Sequence, residues 1–142
     1  MESTTGNEID PGGVNHPAHY NLHPSGIECI DLIRELNFDI GSAVKYVFRR
    51  GLKGSVRKDL DKALYYLRDY LFEEGGTTRL EKPPFGSIGH RWRWDVVIAC
   101  EPDRRAREFY LSIAREDPTA AKFAVEDLIN ELETALEEHP RG

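Results

Sequence analysis

The sequence predicts an all-α protein: a small helical bundle of about five helices, with an N-terminal histidine-rich loop and a C-terminal helical hairpin. Two observations predict it. Apolar residues recur at spacings of three and four, most clearly in Val56, Leu60, Ala63, Leu64, Leu67 and Leu71. Helix boundaries are marked by Gly51 and Gly54, by Gly75 and Gly76, and by Asp117-Pro118, which places an N-cap before a first-turn proline.

The bulk numbers limit the function. At 142 residues the chain has the size of one domain, and 39% hydrophobic residues suffice for a modest core. A net charge of −6 argues against broad nucleic-acid binding, which needs a net basic face. A local basic patch on such a chain suits a small anion. Cys29 and Cys100 lie far apart in apolar runs and read as reduced core residues of a cytoplasmic protein. The longest uncharged apolar run, 96–100, is far too short to span a membrane. The expected layout is a flexible tail at 1–13, a helical core at 14–74, a linker at 75–90 and a packing and oligomerisation hairpin at 91–142.

Residues 14–26 read VNHPAHYNLHPSG, and Pro17 and Pro24 rule out a regular helix there. His16, His19 and His23 either sit in an exposed loop or donate to phosphate and handle a proton near neutral pH. Zinc is disfavoured, because Pro17 breaks the helix that would align His16 with His19 and no cysteine is near. A first helix is expected over 27–36, with Cys29, Leu32, Ile33 and Leu36 inward. Its acidic stripe, Glu28, Asp31 and Glu35, is either a solvated face or a set of magnesium ligands.

A second helix is expected from about 40 to 50, with Ala43, Val44, Val47 and Phe48 inward. Lys45 and Arg49 stand one turn apart on its other face. That repulsion costs a few tenths of a kcal/mol, roughly, and an anion between them would reverse its sign. Lys53 lies between Gly51 and Gly54, where backbone N–H groups before a helix can hold phosphate. With Arg50 and Lys58, five basic side chains surround this turn. No GxxxxGK[ST] pattern occurs, so it is not a P-loop. A third helix is expected over 56–72. On it, Asp59, Lys62 and Tyr66 share a face: either Asp59 and Lys62 simply pair, or Lys62 joins the cations while Asp59 orients it or holds a metal. Tyr65 or Tyr66 would then stack on a base. Residues 91–100, RWRWDVVIAC, alternate in a way that suits a short strand or an irregular apolar segment. Two last helices are expected, from 101–103 to about 116 and from 118 to about 138.

Four segments stand in fixed order with close spacing: VNHPAHY (14–20), GIECIDLI (26–33), GSAVKYVFRRGLKG (41–54) and RKDLDKALYYL (57–67). Together they resemble a phage-encoded family that includes the small nucleotide kinase of T7-like phages, with Ser42 where the family has Asn and Lys58 where it has Glu. The resemblance covers about 60 residues and none of the chain after Gly75. It implies a deoxynucleoside monophosphate kinase without a P-loop, using ATP or another nucleoside triphosphate as donor, with or without Mg2+, in the host cytoplasm. It picks out His16, His19, Tyr20, Glu28, Lys45, Tyr46, Arg49, Lys53, Asp59 and Lys62. Lys45, Arg49 and Lys53 would clamp phosphates, with His16 or His19 at the transferring group and Tyr20 and Glu28 at the nucleoside. Arg50 and Tyr66 complete the expected substrate site, and the partners expected are nucleotides and further copies of the chain. Two other readings compete: a MazG-like dNTP pyrophosphohydrolase with Glu28, Asp31 and Asp59 on magnesium, and a non-catalytic nucleotide-binding or host-interaction protein.

Overall fold

The computed structural model describes residues 23–73 and 91–138. Among the described residues there are six α-helices and no strand: α1 (Cys29–Ile33), α2 (Phe38–Phe48), α3 (Val56–Glu73), α4 (Arg91–Cys100), α5 (Arg104–Ala114) and α6 (Pro118–Glu138). The chain is therefore all-α, as its apolar spacing predicts. The expected tail at 1–13, the loop at 14–22 and the linker at 75–90 lie outside the described residues. No described helix is long and apolar enough to cross a membrane.

Local chemistry sets the helix ends. The Asn37 side chain accepts the Ile40 N–H at 2.8 Å, so α2 starts at Phe38, earlier than apolar spacing alone suggests. Ser55 Oγ accepts the Lys58 N–H at 3.2 Å ahead of α3. Asp103 Oδ1 takes two N–H groups at the start of α5, those of Arg105 and Ala106. Between α5 and α6, Glu116 adopts φ 60°, while the Asp117 and Glu116 N–H groups return to the Ser112 and Ile113 carbonyls, both at 2.9 Å. This is a Schellman turn built without glycine.

Two expectations are corrected. Residues 91–100 form helix α4, not a strand. A strand would place Trp92 and Trp94 on the same face; instead Trp94 is 1% exposed and Trp92 54%, and the buried partner of Trp94 is Val97, three residues on. The first helix spans five residues, where ten were expected. Glu28 sits at its N-cap in extended conformation and Glu35 lies beyond its end, so of the acidic stripe only Asp31 is helical.

The helices pack as a closed cycle. α2 lies on α3, α3 on α6, α6 on α5, α5 on α4, and α1 bridges α4 back to α2. One core fills the ring. It draws Val44 and Val47 from α2, Leu60 and Leu67 from α3, Trp94 from α4, Phe109 and Tyr110 from α5 and Val125 from α6. The C-terminal helices thus share a core with the first three.

Candidate functional site

Helix α2 carries Lys45, Tyr46 and Arg49 within one turn, and α3 carries Lys62 and Tyr66 one turn apart. Packing α2 on α3 brings the two sets together. Lys45 Nζ lies 5.3 Å, Arg49 Cζ 5.4 Å and Lys62 Nζ 5.3 Å from the centre of the Tyr46 ring. The Tyr66 ring is parallel to that of Tyr46, 5° apart in plane and 6.0 Å between centres. Phe38 and Tyr65 meet Tyr66 edge-on at 5.7 and 5.2 Å, and both are largely exposed. The result is an aromatic platform ringed by cations.

Asp59 sits under this platform, 4% exposed. Its Oδ2 accepts the Gly51 N–H at 2.9 Å, and its Oδ1 lies 3.8 Å from Arg49 Nη2. The second distance is an ion pair but too long for a hydrogen bond. Arg49 Nε is buried without a partner. Asp59 is thus ion-paired to Arg49, while Lys45 and Lys62 bring their ammonium groups to the Tyr46 ring beside it. Cys29 packs beneath: burial pushes its thiol up to about 12, against the pull of the Lys45 and Arg49 charges, so it is no nucleophile at neutral pH.

Gly51 is required where it stands. Its φ is +81°, and a Cβ there would fall 2.7 Å from a Val56 methyl carbon. The turn that follows α2 is thereby tied to Asp59 through its own backbone.

Arg50, one residue from Arg49, points elsewhere. Its Nη2 donates to Glu101 Oε2 at 3.3 Å and its Nη1 to the Val47 carbonyl at 2.8 Å. Glu101, 3% exposed, also accepts the Asp103 N–H at 3.0 Å and binds His23 Nε2 at 3.1 Å. His23 Nδ1 accepts the Ser25 N–H at 3.0 Å and lies 2.8 Å from Ser25 Oγ, so the ring hydrogen belongs on Nε2, donated to Glu101. Burial alone would raise the Glu101 pKa. Hydrogen bonds from His23 and the Asp103 backbone, with the Arg50 charge, outweigh it and hold the carboxyl below its ordinary value. This knot borders a cleft of about 290 Å³ walled by Pro24, Phe48, Leu52, Val56 and Pro102.

Of the residues singled out from sequence, the fold brings together Lys45, Tyr46, Arg49, Asp59, Lys62 and Tyr66. It turns Arg50 toward Glu101 and leaves Lys53 exposed in the turn. Asp31 pairs with Arg34 at 3.0 Å, and Glu28 lies ahead of α1. Among the described residues no group of three or more His, Cys, Asp or Glu side chains is placed to hold a metal ion. His16, His19 and Tyr20 lie outside the described residues. Sequence reasoning missed Glu101 and Phe38. For Phe38 the usable signal was Asn37, whose capping geometry starts α2 there; nothing in the sequence ties Glu101 to His23.

Residues 14–68 match the model of a family described as a protein of unknown function, DUF3310. That span holds every residue of the platform, with His23 and Arg50, and stops short of Glu101. No curated protein matches the chain, and no solved structure does.

Proposed function

We propose that the chain binds deoxynucleoside monophosphates on the Tyr46–Tyr66 platform and transfers a phosphoryl group to them from ATP or another nucleoside triphosphate. The observation that carries the reading is the convergence of Lys45, Arg49 and Lys62 on the Tyr46 ring beside the parallel Tyr66. Three cations on one ring favour an anion, and the exposed Phe38 and Tyr65 rings beside the half-buried Tyr46 and Tyr66 favour a base. Leaving a buried donor such as Arg49 Nε unpaired costs about 1–3 kcal/mol, which a phosphate oxygen would recover. Phosphoryl transfer suits such a site because it needs positioned cations more than covalent help.

In this reading Lys45, Arg49 and Lys62 hold phosphate, Lys53 reaches it from the turn, and Asp59 holds Arg49 in place. His16 or His19 contacts the transferring group, and Tyr20 and Glu28 position the nucleoside. The protein acts in the host cytoplasm as a homo-oligomer.

The test is direct. The full chain is incubated with dTMP or dGMP and ATP, and separately with dNTPs alone, each with and without Mg2+. Diphosphate formed from the monophosphate is the expected product. Pyrophosphate released from dNTPs would assign the chain to the pyrophosphohydrolases, and tight binding without turnover would make it a nucleotide-sequestering protein.

A further inference from the structure

We infer that the cleft beside the His23–Arg50–Glu101 knot is a second nucleotide site, taking the base of the phosphate donor while the platform takes the acceptor. The inference rests on the reading just proposed. Its starting point is the split between adjacent arginines: Arg49 faces the platform and Arg50 the cleft. The turn between α2 and α3 serves both places. Gly51 is bound to Asp59 under the platform, Leu52 walls the cleft, and exposed Lys53 follows it.

Charge separates what the two places can hold. The platform gathers three cations on one ring. In the cleft, Glu101 faces Arg50 on one side and His23 on the other, so the cations there already have a carboxylate partner. A balanced cleft does not select a phosphate; it selects the neutral end of a ligand. Its walls are apolar, and its polar end has spare capacity. A guanidinium has five N–H donors, and Arg50 spends two on Val47 and Glu101. A planar heterocycle with ring acceptors meets both demands. At about 290 Å³ the cleft lies at the small end of ligand sites, enough for a base and part of its sugar. The phosphates would then leave toward Lys53.

The experiment is calorimetric titration of the full chain with dTMP and with a non-hydrolysable ATP analogue, each alone and then in the presence of the other. Both are expected to bind at once. Leu52→Trp fills the cleft from an already exposed position, so folding is not at stake. It is expected to weaken the ATP analogue about tenfold or more and leave dTMP within about twofold. Arg49→Ala is expected to give the opposite pattern. Mutual competition between the two nucleotides, or wild-type binding of both by Leu52→Trp, overturns the second site and leaves the platform reading standing. Binding of neither nucleotide by the wild-type chain overturns both.

Discussion

At the scale of single residues, the platform rests on Arg49 more than on its neighbours. Lys45 and Lys62 hold their charges on flexible stems, whereas Arg49 is half-buried, loosely paired to Asp59 and left with an unmet Nε donor. Arg49→Ala is therefore expected to weaken nucleotide binding about tenfold or more while leaving the circular dichroism spectrum unchanged, since an Asp59–Gly51 bond survives it. Wild-type binding by this folded variant would remove the anion-clamp argument. Glu101 makes the opposite kind of residue, one that serves the fold. Its carboxyl titrates below the ordinary value when folded, so the stabilisation it contributes is present above about pH 4.3 and is lost as pH falls through its lower folded value. Glu101→Gln is expected to cost about 2 kcal/mol at neutral pH and to flatten that acid limb in urea titrations across pH. The two residues also differ in how readable they were. Lys45 and Arg49 stand four apart, so helical geometry alone places them together. His23 and Glu101 are 78 residues apart, and no local pattern brings them into contact.

At the scale of elements, caps and turns decided what periodicity left open. Helix α3 was readable because Leu60, Ala63, Leu64 and Leu67 repeat over several turns. Helix α4 was not: within its ten residues only Trp94 and Val97 are buried, too few to establish a period, while Arg-Trp-Arg-Trp imitates a strand. The expected first helix is too long because apolar residues continue through Leu36, past the end of α1 at Ile33 and up to Asn37, which caps the next helix. The α2–α3 turn is the element on which both proposed ligand places depend. Gly51→Ala must accept a left-handed backbone with a side chain and move Val56 away. The expected loss is about 1–3 kcal/mol, read as a lower urea midpoint with an unchanged slope.

At the scale of the whole molecule, the described C-terminal helices do more than append a hairpin. Apolar residues of α3 and α6 belong to one core, and ion pairs cross between these helices from Arg57 to Glu133 and from Arg68 to Glu126. Cutting the chain after Gly76 removes α4, α5 and α6, and with them Trp94, Phe109, Tyr110 and Val125. The truncated chain is expected to lose cooperative thermal unfolding and to bind a hydrophobic dye; a sharp transition would show that α1–α3 fold alone. The sequence signalled the helices but not their cyclic order, because that order depends on which faces meet after the chain has left residue 73 and returned at residue 91.

The ring closure has a dynamic consequence. In an open row of helices the end members have one neighbour and fray first, so amide protons exchange in tiers. Here every described helix has two principal neighbours, and with α1 joining α4 to α2 the cycle has no end member. Interior amides such as those of Val44, Leu67, Val97, Tyr110 and Val125 are expected to exchange with deuterium through one shared opening, at a common free energy. At a pH where exchange outpaces reclosing, mass spectrometry is expected to record two populations, closed and fully exchanged, rather than a graded series.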